Sequence, residues 1–150
     1  MYLVSDPVAK EEISGFHTTI RLMADCILAF REWYGQGRAI AAPQVGLQKR
    51  IIVINIDRPY PIYNPEFFEK SNKQIEIWDD CMSFSELFVK VSRHQSLKMR
   101  FRDENWDEQI WELQDDMAEL LQHEYDHLDG ILATMRAPDE KSFRWRKQKA

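Results

Sequence analysis

The chain has 150 residues, 44% of them hydrophobic, and a formal net charge of −5. This length suits one domain spanning residues 1–150, and no apolar run approaches the roughly 18 residues that cross a bilayer. The negative charge argues against direct nucleic-acid binding, which needs clustered Lys and Arg. The first residues lack a basic, apolar leader, so we expect no secretory signal and a cytoplasmic location.

The first half of the chain predicts a helix, a loop and a strand. Apolar residues recur at spacings of three and four over residues 11–34, as on one face of a long amphipathic helix. Glycines close this helix, and residues 35–46 are predicted to form a loop. Residues 50–56 are predicted to form a buried strand. Three prolines then predict turns and short extended pieces over residues 59–65.

The second half predicts more strands and a second helix. The predicted strands are residues 74–78, 88–91, 96–102 and 109–113. An apolar stripe over residues 114–129 predicts the helix, and Gly130 follows where a C-terminal cap belongs. A helix, several strands and another helix give an α+β class.

The second predicted helix carries the motif H-E-x-x-H, with His123, Glu124 and His127. Residues four apart on a helix face the same way, so both imidazoles can bind one metal ion. Glu124 can then reach a water bound to that ion. It also lies nearly within the apolar stripe, where a carboxylate without a partner is costly. The alternative interpretation is two ordinary histidines at the surface boundary of an acidic helix.

A catalytic site usually has three protein ligands and one open position. The candidates for the third ligand are His17, His94, Cys26, Cys81 or a carboxylate. Cys81 stands out because it follows a predicted strand among polar neighbours, whereas Cys26 lies within a helix and suits a buried apolar role. Gln44, in a tight Ala-rich loop, is a candidate donor to a developing oxyanion.

Three segments resemble the motifs of the peptide deformylases. They are G-R-A-I-A-A-P-Q at residues 37–44, D-D-C-M-S at 79–83 and Q-H-E-Y-D-H at 122–127. The family patterns are G-φ-G-φ-A-A-x-Q, E-G-C-φ-S and Q-H-E-x-x-H, where φ is apolar. The resemblance covers residues 3–135. It implies an α+β fold with mixed antiparallel sheets around a central metal-binding helix and a long N-terminal helix.

The resemblance also implies an activity, a cofactor and residue roles. The activity is hydrolysis of an N-formyl amide to formate, at the N-terminal methionine of new polypeptides or on a related N-formyl amine. The cofactor is one divalent ion, natively Fe²⁺, replaceable by Zn²⁺, Ni²⁺ or Co²⁺. Cys81, His123 and His127 match the metal ligands and Glu124 the acid–base. Gln44 and the backbone N–H of Met82 match the donors to the formyl oxygen.

Several residues depart from the family patterns around the substrate pocket. The predicted pocket residues are Arg38, Ala39, Ile77, Asp79, Asp80, Glu119 and Leu120. Arg38 and Glu119 replace apolar residues; Arg38 could pair with Glu119 and reshape the pocket, recognise an anionic group, or extend into solvent. Ala39 adds a methyl where peptide backbone would approach.

The second motif departs as well. Asp79 is one methylene shorter than the family's glutamate and is expected to fall short of its partner. Asp80 places negative charge beside the thiolate, which weakens metal binding unless a cation offsets it.

Two other functions remain open from the sequence. One is an impaired or inactive relative that binds metal and peptide ends without cleavage. The other is a zinc endopeptidase, which is disfavoured because no histidine follows His127. The basic tail, residues 143–150, is expected to be solvated, with a ribosome contact as the alternative.

Overall fold

The computed structural model of the chain describes residues 1–147 as two antiparallel sheets and two α-helices. The strands are β1 (Ala39–Ala41), β2 (Ile51–Asn55), β3 (Pro59–Phe68), β4 (Gln74–Asp80), β5 (Leu87–His94), β6 (Ser96–Arg102), β7 (Glu108–Gln114) and β8 (Phe143–Trp145). The helices are α1 (His17–Tyr34) and α2 (Asp115–Leu128). One sheet has the order β1-β2-β3-β6-β7 and the other the order β4-β5-β8. The α+β class is confirmed.

The five-stranded sheet has a helix on each face. Successive side chains of a strand point to opposite faces. On one face, β2 packs with α1 through a cluster that includes Met23, Ile27, Ile51 and Val53. On the other, β2 packs with α2 through a cluster that includes Ile52, Ile54, Leu121 and Leu128. Full burial of each such side chain stabilises the fold by about 1.5–3 kcal/mol, and this burial fixes the position of α2.

The N-terminal helix is shorter than predicted. Residues Lys10–Phe16 form a 3₁₀ helix, and α1 begins only at His17. Gly15 lies in this first segment, and glycine in a helix costs about 1 kcal/mol relative to alanine. Gly35 caps α1 as expected, with φ of 70° and an amide that donates to the carbonyl of Arg31.

The prediction of turns at the three prolines was wrong, because all three lie in the ten-residue strand β3. Pairing with β6 begins only at Tyr63, so Pro59 and Pro61 have a neighbouring strand on one side only. Proline is tolerated in such edge-like positions because its missing N–H breaks no ladder bond. Pro65 lies in a register shift between Tyr63 and Glu66.

Two segments predicted to lack regular structure form short strands. Part of the predicted loop at residues 35–46 is β1, which pairs with β2, and Ala42–Val45 then form a 3₁₀ turn. Part of the basic tail is β8, which pairs with β5. Lys149, also in the tail, lies outside the described residues. Within the described residues, no helix is long and apolar enough to cross a membrane.

Candidate metal centre and substrate cavity

Helix α2 presents the H-E-x-x-H motif to the protein interior. His123 and His127 are buried, with 1% exposure of His127. Their Nε2 atoms are 3.2 Å apart, as the spacing of four residues predicts. The interpretation of these residues as ordinary boundary histidines is therefore wrong.

Cys81 joins the two histidines from another part of the chain. It directly follows β4 and precedes a 3₁₀ turn at Met82–Phe84, and its side chain is buried. Its Sγ lies 3.3 Å from Nε2 of His127, and the ligand atoms of Cys81, His123 and His127 all lie within 4.8 Å of one another. The other candidates for the third ligand, His17, His94 and Cys26, are not part of this cluster.

The three atoms suit a metal ion in spacing and in chemistry. Bonds of about 2.0–2.3 Å in a tetrahedral arrangement place neighbouring ligand atoms about 3.3–3.6 Å apart. Two of the spacings in this cluster are 3.2 Å and 3.3 Å. A thiolate with two imidazoles is also a donor set that divalent transition metals accept. The cluster therefore supports the binding of a single metal ion.

Asp79 orients the ring of His123 through a hydrogen bond with its Nδ1 atom. Its Oδ2 accepts a hydrogen bond from Nδ1 of His123 at 2.8 Å and another from Arg93 at 2.9 Å. The expectation that this shorter acid falls short of a partner is therefore not met. Because Nδ1 donates to Asp79, Nε2 is the atom free to ligate a cation. Arg93, itself buried, also contacts Asp126 at 2.5 Å.

Burial and these charges set the ionisation of the centre. Burial opposes charge on Asp79, but His123 and Arg93 outweigh it and hold the pKa of its carboxyl at about 2. Burial also opposes charge on His123, yet Asp79 raises its pKa well above the ordinary value. Burial, together with the charge of His123, lowers the pKa of His127 to about 3.

Glu124 lies beside the cluster with an unused carboxylate oxygen. Its side chain is buried at 4% exposure, and Oε2 has no hydrogen-bond partner in the part of the chain that the structure describes. Burial raises the pKa of Glu124 to about 7, although His123 opposes the shift. A buried acid without a partner is costly, so this oxygen is placed to hold or accept a proton from a bound molecule.

Gln44 places a hydrogen-bond donor near the cysteine. Its Oε1 accepts from the amide of Ala41 at 2.9 Å, which fixes the orientation of the side chain. Its Nε2 then lies 3.6 Å from Sγ of Cys81 and 3.1 Å from Oγ of Ser83. Met82, the other predicted donor, follows the cysteine directly in the chain and lines the cavity described below.

A cavity of about 590 Å³ opens beside His123 and Glu124. All seven predicted pocket residues line it: Arg38, Ala39, Ile77, Asp79, Asp80, Glu119 and Leu120. Sequence reasoning missed Phe30, Arg31 and Gly35–Gly37, which form another part of the lining. Their only signal was their place next to the first motif, at the end of α1.

Charged side chains form one wall of this cavity. The guanidinium of Arg38 contacts Glu119 at 3.1 Å and also forms a close ion pair with Asp116. Of the three predicted arrangements for Arg38, pairing with Glu119 is therefore the one observed. Burial, assisted by Asp79, raises the pKa of Glu119 to about 7 even though Arg38 acts to lower it. The pairing leaves the cavity open.

Asp80 has a cation of its own. Arg146, just after β8, contacts Asp80 at 2.6 Å and donates to the carbonyl of Ser85 at 2.8 Å. Its guanidinium also lies over the ring of Phe88. The negative charge beside the cysteine is therefore offset by Arg146, a residue of the predicted solvated tail that instead contacts the site's surroundings.

Comparisons with known proteins agree with this geometry. The model of the polypeptide deformylase family matches residues 1–143. The peptide deformylase of Pseudothermotoga lettingae is 33% identical over 97% of this chain and 86% of that protein. A peptide deformylase from Synechococcus elongatus, solved in complex with actinonin, has a TM-score of 0.84 and 26% identity over 94% of this chain and 75% of that one. The peptide deformylase of Thermus thermophilus has a TM-score of 0.80 and 30% identity over 91% and 78% of the two chains.

Proposed function

Because the chain belongs to the polypeptide deformylase family of amidohydrolases, we propose that its own residues form a complete deformylase site. Cys81, His123 and His127 hold one divalent ion, and Glu124 is the catalytic acid–base. The substrate is an N-formyl amide at a peptide N-terminus, and formylmethionine peptides are the first substrates to test. The observation that carries the proposal is the unused Oε2 of Glu124 beside three converging ligand atoms.

The residues divide the hydrolysis between them. A bound divalent ion supplies Lewis acidity and lowers the pKa of water. Glu124 takes a proton as the water oxygen bonds to the formyl carbon. Gln44 and the backbone N–H of Met82 donate to the formyl oxygen as it gains negative charge. When the C–N bond breaks, Glu124 returns the proton to the leaving amine, and formate and a free amine result.

Replacement of Glu124 should slow the chemical step without reducing the amount of bound metal. We expect Glu124→Gln to lower kcat for formate release from formyl-Met-Ala-Ser by about 10²–10⁴-fold, because a side-chain acid–base contributes that factor. The amide has the same shape as the acid, so metal content measured by mass spectrometry should stay at wild-type level. Glu112→Gln is the matched control, since Glu112 is exposed on β7 away from the cavity.

Two results would contradict the proposal. One is a metal-loaded wild-type protein that releases no formate from any N-formyl peptide. The other is Glu124→Gln with kcat within threefold of the Glu112→Gln control. The comparisons give no support to an inactive relative, and the contacts of Asp79 remove one reason for expecting one. The upstream ligand Cys81 likewise disfavours an endopeptidase.

For the metal, we propose Fe²⁺ as the native ion, with Zn²⁺, Ni²⁺ or Co²⁺ as substitutes. The thiolate and imidazole donors support this set but do not select within it. Metal analysis of protein purified without oxygen tests it, and a content dominated by zinc with no iron would contradict it. A cytoplasmic location and a ribosome contact through the basic tail stay predictions. Arg144 and Arg146 are already engaged with Trp78 and Asp80, which leaves fewer tail cations for such a contact.

A further inference from the structure

One wall of the substrate cavity is formed by two acids and one arginine. Arg38 contacts both Glu119 and Asp116, so one guanidinium faces two carboxylates. Of the other acids in the lining, Asp79 contacts Arg93 and Asp80 contacts Arg146, while Glu124 is the proposed acid–base. Arg31, the other arginine of the lining, donates to the carbonyl oxygens of Gly37 and Asn55. Apart from Glu124, the lining acids that share a single arginine are therefore Asp116 and Glu119.

Glu119 is the acid of this wall that faces the cavity. Its side chain is 16% exposed, against 77% for Asp116. Its hydrogen bond to Arg38 uses Oε1. Among the described residues Oε2 makes no hydrogen bond, and this oxygen is accessible rather than fully buried. A carboxylate can accept at about four lone-pair sites. Glu119 therefore offers acceptor capacity to whatever enters the cavity.

This wall opposes an apolar or anionic group. A thioether placed against Glu119 would remove water from the carboxylate and return no hydrogen bond. An anionic group would have to compete with two carboxylates for Arg38. An ammonium or guanidinium group, in contrast, would gain a charge-assisted hydrogen bond.

The rest of the lining suits a long basic side chain. Ile77 and Leu120 are apolar and half-buried, and both line the same cavity as Glu119. Methylene stems of basic side chains pack on apolar surface while the charged end reaches a polar partner. The cavity, at about 590 Å³, is large enough to contain such a side chain.

We propose that this site prefers N-formyl substrates whose first side chain ends in a cationic group at the reach of lysine, and that Glu119 selects it. The inference rests on the proposed deformylase activity and deepens it. Glu119 acts here as a specificity residue that contacts the substrate side chain, not as part of the hydrolytic chemistry.

Lysine and norleucine form a matched pair for the test, because they share a four-carbon chain and differ in the ammonium group. We expect kcat/KM for formyl-Lys-Ala-Ser to exceed that for formyl-Nle-Ala-Ser by about tenfold or more, equivalent to one charge-assisted bond of about 1.4 kcal/mol. In Glu119→Gln the ratio should fall below threefold. In the double variant Arg38→Leu/Glu119→Leu it should reverse in favour of norleucine and methionine, which also shows that the variant folds. Glu112→Gln should keep the wild-type ratio.

The outcomes separate this inference from the activity itself. Formate release with methionine or norleucine at least as fast as with lysine overturns the inference and leaves the proposed function intact. No formate from any substrate overturns the proposed function. In that case calorimetry with the products Lys-Ala-Ser and Nle-Ala-Ser still decides: tighter binding of the lysine peptide supports the inference, and equal or weaker binding overturns it.

Discussion

Asp79 and Asp80 are adjacent acids with different contacts, so their asparagine variants test how His123 is held. Asp79 accepts from Nδ1 of His123 at 2.8 Å, whereas Asp80 forms its ion pair with Arg146. Loss of the carboxylate partner of a metal-binding histidine costs about 10–100-fold in metal affinity, or about 1.4–2.7 kcal/mol. Asp79 is 6% exposed, so water cannot replace its charge. We therefore place Asp79→Asn at the upper end, at about 100-fold.

The assay is the dissociation constant of Co²⁺ or Zn²⁺, measured by competition with a coloured chelator at one pH. Asp80→Asn should stay within about threefold of wild type, because partly exposed ion pairs contribute about 0–1 kcal/mol. Urea unfolding of the metal-free variants checks that both fold. If the two variants lose affinity equally, or if Asp79→Asn loses less than threefold, Asp79 does not act through His123.

Two further predictions concern the arginines around the site. Arg93→Met should lower the free energy of unfolding, measured in urea, by about 3–5 kcal/mol, because it removes the buried cation that Asp79 and Asp126 share. Arg136 also contacts Asp126 but is itself 42% exposed, so Arg136→Met should cost about 1 kcal/mol or less. Equal losses would contradict the reasoning. Arg146→Gln should weaken metal binding about threefold by exposing the thiolate to the charge of Asp80. Arg144→Gln is the control. The double variant Asp80→Asn/Arg146→Gln should restore the metal affinity, and no restoration would refute an effect through the charge of Asp80.

The sequence predicted the histidine pair of the candidate metal centre well because this part depends on local geometry. The spacing of four on a helix places His123 and His127 together, and the apolar stripe fixes which face is buried. That stripe also predicted that Glu124 would lie in an apolar setting and need a partner. Cys81 stood out among several candidates by its polar neighbours after a predicted strand, and the resemblance to a family agreed with that choice. Its distance from the histidines, a contact across 42 to 46 residues of chain, was not available from local spacing.

The parts that could not be predicted depend on which strands are neighbours. The prolines of β3 were predicted to form turns because proline cannot donate a backbone hydrogen bond to a neighbouring strand. This loss is harmful only where a strand has partners on both sides, which the sequence does not show. Arg93 gave no signal, since β5 was predicted to end before it and a buried arginine is rare without paired acids. Arg146 lies in a tail whose composition indicates solvation, and its role follows only from the pairing of β8 with β5. Each of these requires knowledge of tertiary contacts.

The charged residues that depart from the family motifs differ in how fully arginine side chains balance their charge. Asp79 and Asp80, which adjoin the metal-binding residues, are each matched by an arginine from a distant strand or its end. The Arg38 wall, which lines the cavity, has two carboxylates on one guanidinium. An imbalance near the thiolate or the histidines would weaken metal binding, whereas an imbalance in the cavity changes which side chain binds well. This distribution of charge is the one expected if, as we propose, the site keeps its hydrolytic chemistry and differs in the substrate side chain that it prefers.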